Sequence, residues 1–260
     1  MCLILFAVDA HPHYRLLVAA NRDEHFARPS APAAYWRDAP HVLAGRDLDR
    51  GGTWFGVGRD GRFAAVTNYR GAPPVPGGPS RGALAADYLR GDLAPPAFIE
   101  GLARRAGDYQ GFSVLLGDST SLHYYSNRLE GAGACGIPVG AGVHGLSNHL
   151  IDTPWPKVIR GRRALEEALP LDPAAREAAL IAALSDRRPP EDHELSVQGA
   201  PLAFERALAA PFIHAPERDY GTRCSTLLSV ARSGEVDFVE HTWDRHAAPS
   251  GCVRHRFTID

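Results

Sequence analysis

The sequence lacks the features that mark several large protein classes. Its four cysteines, Cys2, Cys135, Cys224 and Cys252, stand far apart with no C-x-x-C pair. That disfavours a zinc site or a disulfide-stapled secreted scaffold and leaves four free thiols. No apolar run approaches the roughly 20 residues that cross a bilayer. The first apolar stretch has no basic leader and reaches Asp9 too soon for a secretory signal, so a cytoplasmic protein without a membrane span is expected. An excess of one charge is missing too. Lys plus Arg at 28 against Asp plus Glu at 30 leave a net charge of -2, which argues against a general electrostatic grip on nucleic acid or anionic membrane.

Motif searches exclude further classes. There is no G-x-x-x-x-G-K-[ST] phosphate loop, and Gly56-Val57-Gly58 lacks the third glycine of a dinucleotide fingerprint. Ser113, in Gly111-Phe112-Ser113-Val114-Leu115, lacks the second glycine of a nucleophile elbow. The twelve histidines are scattered, and His11-Pro12-His13 falls in a turn, where solvation is a simpler reading than metal binding. No metal site is expected.

What is present is an ordinary globular composition, 45% hydrophobic and 22% charged over 260 residues, enough for one domain spanning 1–260 with a sizeable core. Apolar runs at Leu3–Val8 and Tyr14–Ala20 flank a turn, and Thr53–Val57 and Arg62–Thr67 flank Gly58-Arg59-Asp60-Gly61, so two β-hairpins are expected. Phe112–Leu116 with Ser121–Tyr125, and Thr226–Val230 with Val236–Glu240, make two more. Three- and four-residue apolar spacing predicts helices over Ser80–Arg90, Ala97–Ala106, Pro156–Leu169 and Pro173–Leu184. Arg187–Glu194 and the Pro/Gly-rich Gly71–Gly78 read as loops. Antiparallel hairpins dominate over βαβ units, which gives an α+β fold of stacked antiparallel sheets faced by helices.

Two features carry chemistry. Cys2 opens the first strand of Met1-Cys2-Leu3-Ile4-Leu5-Phe6-Ala7-Val8-Asp9; if Met1 is removed, one residue carries both a thiol and a free α-amine. The second strand ends in Asn21-Arg22-Asp23-Glu24, which reads from local pattern as a strand leaving the core into a charged turn. Asn68 and Asn148 likewise follow strand-like sequence, where asparagine is common turn chemistry. Asp47, Asp49 and Arg50 read as a solvated loop.

Asn21-Arg22-Asp23-Glu24 resembles the signature of the NRDE family, the relatives of the transport and Golgi organisation 2 protein. The resemblance continues through Ala44–Asp47, Gly51–Gly56, Thr67–Arg70, Ser80–Gly82, Gly145–Asn148, Asp152–Lys157 and Tyr220–Arg223. That family in turn resembles the N-terminal nucleophile hydrolases, of the penicillin V acylase and bile salt hydrolase type. The resemblance implies a four-layer αββα sandwich and an amidase or acyl-transfer activity on a small amide or thioester. Cys2 then matches the nucleophile, Asp23 an aspartate set against the N-terminal amine, Asn68 and Asn148 two asparagines near an oxyanion site, and Arg223 a further pocket arginine. Arg22 departs from the pattern. The acylases place an arginine three residues before the aspartate, where this chain has Ala20, and strand alternation sends Arg22 and Asp23 to opposite faces.

Arg22, Trp54 and Trp155 are candidates to line a substrate pocket, with a place in the core as the alternative for each tryptophan. An N-terminal cysteine needs no cofactor, because its own amine, with a reference pKa of about 7.7 to 8.0, accepts the thiol proton. The resemblance also implies a rival. The family is associated with haem handling and with acyl-lipid homeostasis, so the same scaffold could serve as a carrier of haem or an acyl-lipid. No C-x-x-C-H haem-attachment signal is present.

Overall fold

A computed structural model describes residues 2–71, 77–129, 136–195 and 201–260. Cys135 and residues 72–76 of the Gly71–Gly78 loop lie outside the described residues. The chain forms two compact units. One takes the chain up to Ala27, then Ala141–Ser147 and Ile151–Phe257; the other takes Arg28–Gly140, Asn148–Leu150 and Thr258–Asp260.

The first unit is built on strands β1 (Cys2–Val8), β2 (Tyr14–His25), β10 (Gly142–Leu146), β11 (His214–Ala215), β12 (Tyr220–Ala231), β13 (Glu235–Trp243) and β14 (Pro249–Thr258), labelled in chain order. They form an antiparallel sheet in the order β10-β1-β2-β12-β13-β14, with β11 pairing β12. Alternation decides which face each side chain takes. Leu3, Leu5 and Ala7 of β1, Leu17 and Ala19 of β2, Leu227 of β12 and Val239 of β13 form one cluster with Val158 and Leu165 of α3 (Pro156–Ala168) and Leu180 and Leu184 of α4 (Pro173–Leu184). Each fully buried leucine of this layer contributes about 1.5–3 kcal/mol by leaving water. Both helices begin on proline, which costs no hydrogen bond in the first turn, and the Asp172 carboxylate caps α4 by accepting from the Ala174 and Ala175 amides at 3.0 and 3.1 Å. A third helix, α5 (Leu202–Ala209), completes this unit.

The second unit runs β3 (Ser30–Trp36), β4 (Ala39–Asp47), β5 (Phe55–Gly58), β6 (Phe63–Asn68), β7 (Phe112–Gly117), β8 (Leu122–Ser126) and β9 (Ile137–Pro138) as an antiparallel meander in sequence order. Helices α1 (Arg81–Arg90) and α2 (Pro95–Ala103) place Leu84, Tyr88, Leu89, Ile99 and Leu102 on Val42, Ala44, Ala64, Val66, Val114 and Leu116 of the sheet. The buried Tyr88 hydroxyl donates to the Gly117 carbonyl at 2.8 Å.

Among the described residues five α-helices flank the two antiparallel sheets, and the fold is α+β as the order of strands and helices predicts. None of these helices is long and apolar enough to cross a membrane. The second strand is longer than expected. Residues 21–25 continue β2 rather than turning away, and Asn21, Arg22 and Asp23 are buried. The reading of Asp47 as solvated is also corrected. Its carboxylate is buried, accepts from Arg28 Nη2 at 2.5 Å and from the Asp49 amide at 3.0 Å, and so anchors a loop whose Leu48, Asp49 and Arg50 face water.

Candidate active site

Cys2 is the first residue of β1 and lies directly across from Arg22 of β2, which in turn lies across from Cys224 of β12. Residues opposite one another in a ladder share a face, so Cys2, Arg22 and Cys224 form a row on the face away from α3 and α4. Arg22 is therefore the arginine beside the cysteine, although it sits next to Asp23 in sequence. The row is anchored at its start by Ser147, whose hydroxyl donates to the Cys2 carbonyl at 2.8 Å.

The signature divides its labour by alternation. Asn21 points to the helical layer, donating to the Leu184 and Pro211 carbonyls at 2.8 and 2.9 Å and accepting from the Ser225 hydroxyl at 2.6 Å. It ties β2 to the end of α4 and does no chemistry. Asp23 pairs with Thr222 in the ladder, and its Oδ1 accepts from the Thr222 hydroxyl at 2.7 Å. That hydroxyl accepts from the Ile213 amide at 2.9 Å, so its single proton is committed to the carboxylate. The Tyr220 hydroxyl donates to the Asp23 carbonyl at 3.1 Å.

Burial sets the electrostatics. It pushes the Cys2 thiol above its ordinary range; the Asp23 carboxylate reinforces this, and a hydrogen bond from the Asp23 backbone amide and the Arg22 charge pull it back. The net result is a thiol, which needs a proton acceptor before it can attack. The Asp23 carboxyl is raised as well, by burial, against the lowering effects of Lys157, the Thr222 hydroxyl and Arg22. Cys224 is fully enclosed, and burial with the neighbouring Glu240 carboxylate lifts its thiol far above the usual value. It is the inert member of the row.

Arg223 is the extra residue of a β-bulge, since the register steps from Thr222↔Asp23 to Cys224↔Arg22. Its guanidinium donates to the His25 carbonyl at 2.9 Å and lies over the Phe26 ring at 5.1 Å. Trp155 stands at the N-cap of α3 and packs against the helical layer rather than on the face of Cys2.

The other candidates belong to the second unit. Asn148 is fully buried, and its amide donates to both the side-chain and backbone oxygens of Asn68, at 2.8 and 3.2 Å. Beside them the Tyr69 hydroxyl meets His149 Nε2 at 2.7 Å and the two rings stack at 4.7 Å. Trp54 lies on the backbone of Gly45, where an added Cβ would come within 2.4 Å of the indole. Three residues without an assigned role in the sequence reading, Ser147, Lys157 and Thr222, make direct or electrostatic contact with Cys2 or Asp23. Their signal was their place inside the family-like blocks Gly145–Asn148, Asp152–Lys157 and Tyr220–Arg223.

Comparison with known families decides the lineage. Residues 1–245 match the family profile described as Transport and Golgi organisation 2. The chain belongs to this family. Within it, the chain is 34% identical to the Transport and Golgi organization protein 2 homolog of Bos taurus, over 93% of each sequence. It is 30% identical to Transport and Golgi organization protein 2 of Drosophila melanogaster, over 93% of this chain and 92% of the relative. Among solved structures it is similar to the C2A mutant of the conjugated bile acid hydrolase from Clostridium perfringens, at 9% identity and a TM-score of 0.47 over all of this chain and 92% of that one. A second likeness, at 9% identity and a TM-score of 0.46, is to the Caenorhabditis elegans ortholog of N-acylethanolamine-hydrolyzing acid amidase, covering 69% and 85%. Neither transfers a residue's role to this member of the Transport and Golgi organisation 2 family.

Proposed function

We propose that this protein is an N-terminal cysteine hydrolase or acyl-transfer enzyme acting on a small amide or thioester. The observation that carries the reading is the setting of Cys2, with Arg22 directly across the ladder on the same face and the Asp23 backbone amide hydrogen-bonded to its sulfur. Removal of Met1 frees the Cys2 amine, which takes the thiol proton. The thiolate attacks the acyl carbon, the amine returns the proton to the departing amine or thiol, and water then cleaves the thioester on Cys2. Asp23 orients the amine and stabilises the ammonium formed when it takes the proton, and Arg22 stabilises the sulfur as an anion. The chemistry requires no cofactor.

The test is intact-mass analysis after exposure to a panel of acyl amides and thioesters, with Cys2→Ser alongside. The expected result is a chain lacking Met1 that gains one acyl group at Cys2 and turns substrate over, with both lost in the variant. Retention of Met1 in protein from its native cell, or absence of both adduct and turnover, overturns the reading. Stoichiometric haem uptake with a shifted Soret band, or retention of an acyl-lipid without cleavage, would assign a carrier role instead.

A further inference from the structure

Strand β10 is the outer strand of the first sheet, and its register with β1 runs from Val8↔Gly142 to Ile4↔Leu146. β1 continues past this pairing to Cys2. There a side chain takes over from the ladder on this side: Ser147, the residue after Leu146, is buried, and its hydroxyl donates to the Cys2 carbonyl at 2.8 Å. The place of Ser147 depends on how the chain leaves β10, and Asp152 governs that. The Gly145 amide donates to Asp152 Oδ1 at 2.8 Å, and the Asp152 amide donates back to the Gly145 carbonyl at 2.8 Å. Both main-chain groups of Gly145 therefore point away from β1, and Asp152 takes the place of a further strand. By alternation Leu146 turns its own groups towards Ile4, which fixes the residue before Ser147. Asp152 adopts a left-handed backbone, φ 56°, which aspartate tolerates better than most residues. Its second oxygen meets His144 Nδ1 at 2.8 Å, and His144 stacks on Phe6 of β1 at 5.4 Å. From α3, Arg162 Nη1 comes within 3.4 Å of Oδ1, and an added Cβ on Gly145 would come within 2.7 Å of Val158. Burial raises the Asp152 carboxyl, but the His144 bond, the Gly145 amide and the Arg162 charge outweigh it and hold the group below its ordinary value.

We infer that Asp152 is a positioning residue for Cys2: by clasping Gly145 it sets the exit of the chain from β10, and with it the Ser147 hydroxyl that holds the Cys2 carbonyl. The inference rests on the Cys2 reading above for its purpose, and on an unbroken line of bonds for its substance. Every link lies in the first unit, from Asp152 to Gly145, from Gly145 through Leu146 to Ser147, and from Ser147 to Cys2. The clasp closes the neck of the loop formed by residues 146–151, so the residue that meets Cys2 leaves the strand from a fixed point. Position matters for such a cysteine, because its amine and its sulfur must both address one acyl group from a single residue. What the clasp needs from residue 152 is an acceptor for the Gly145 amide and a left-handed backbone; the charge serves Arg162.

The experiment follows the Cys2 carbonyl by ¹³C NMR, in protein labelled at the cysteine carbonyls and assigned with Cys2→Ser, for the wild type, Ser147→Ala, Asp152→Gly and Asp152→Asn. Glycine keeps the left-handed backbone and removes the carboxylate, whereas asparagine keeps an acceptor for the Gly145 amide. Ser147→Ala marks the resonance of the carbonyl without its hydroxyl. The expected result is a shift towards that position in Asp152→Gly and the wild-type position in Asp152→Asn. Acylation of Cys2 by S-phenyl thioacetate should fall by roughly ten- to a hundredfold in Asp152→Gly and in Ser147→Ala, the scale on which a displacement of about 1 Å acts. The double variant should lose no more, since residues acting through one bond are not additive. A resonance that stays at the wild-type position in folded Asp152→Gly, or additive losses in the double variant, overturns the inference. If Asp152→Gly does not fold, Asp152→Glu decides: it keeps the charge for Arg162 and draws the carboxylate off the Gly145 amide, so an unmoved resonance there refutes the clasp. The two readings fail separately. A Cys2 that the thioester does not acylate removes the enzyme reading and leaves the resonance to judge Asp152, whereas an acylated Cys2 with an unmoved resonance removes Asp152 alone.

Discussion

Alanine in place of glycine should have opposite signs at two positions of the second unit, and the structure says why. Gly52 lies in the Gly51-Gly52-Thr53-Trp54 block, against the start of α1. A Cβ there would come within 2.5 Å of the Gly82 carbonyl carbon, 2.6 Å of its oxygen and 2.9 Å of the Ala83 nitrogen. These are backbone atoms at a helix start, with no flexible side chain to yield. The Thr53 amide also donates to the Gly82 carbonyl at 3.0 Å, so the loop cannot retreat without losing that bond. Overpacking costs about 1–3 kcal/mol and a lost hydrogen bond about 1 more, for a sum of about 2–4 kcal/mol. At about 2–4 °C per kcal/mol for a chain of this size, the Gly52→Ala midpoint should fall by about 5–15 °C. Gly101 is an exposed position in α2 with nothing within 4 Å of an added Cβ. Gly101→Ala should therefore gain about 1 kcal/mol of helix propensity and raise the midpoint by a few degrees. Thermal unfolding of both variants measures the pair. An unchanged midpoint for Gly52→Ala would refute the close approach as the reason for the glycines in Gly51–Gly52 and Ser80–Gly82.

Two further outcomes follow from polar contacts of the second unit. Hydrogen bonding to Arg46, with the Arg90 charge adding to it, holds the Asp38 carboxyl at about 2 against an ordinary 3.8, while both guanidinium groups stack on Trp36. A carboxyl lowered on folding contributes stability above its unfolded value and loses it as pH falls through the folded one, so Asp38→Asn should lower the unfolding midpoint at neutral pH, and the gap should close from pH 3.8 down to about 2. Asn148→Ala should cost about 1–3 kcal/mol in urea unfolding, because it removes the two bonds that its buried amide gives Asn68.

Much of this architecture is visible in local pattern. The α4 bounds, Pro173–Leu184, coincide with the expected helix, since proline at the start and leucine spacing are local signals. The turn at Gly58–Gly61 announces itself by Asp60-Gly61, where Gly61 takes a positive φ of 81°. Strands β3 and β14 escaped notice for opposite reasons. Ser30–Trp36 is rich in alanine and carries Pro32, and Pro249–Thr258 is an exposed edge with Arg254, His255 and Arg256 in place of apolar alternation. The polar end of β2 was misread because its partners are remote in sequence. Asn21 is satisfied by residues 163 and 190 positions away and Asp23 by one 199 away. No window of sequence contains such partners, and without them four polar residues after an apolar run look like a turn. Lys157 escaped for the same reason, since a lysine in the first turn of a helix carries no local sign of burial.

The bulge at Arg223 shows how the candidate site was assembled. Antiparallel pairing keeps the sum of partner numbers constant, and here the sum drops from 246 for Cys224 with Arg22 to 245 for Thr222 with Asp23. Taking Arg223 out of the ladder would leave both pairings in one regular register. Arg223 is therefore an addition to the site, whereas Arg22 opposite Cys2 and Thr222 opposite Asp23 are consequences of the ladder itself. This separates the two arginines physically. Arg22 is buried, and the strand pairing that seats Cys2 also seats it; Arg223 reaches outwards to the His25 carbonyl and the Phe26 ring. The adjacency of arginine and aspartate, which departs from the acylase spacing, thus puts Arg22 across from Cys2 on one face of the sheet and Asp23, held by the Thr222 hydroxyl, on the other.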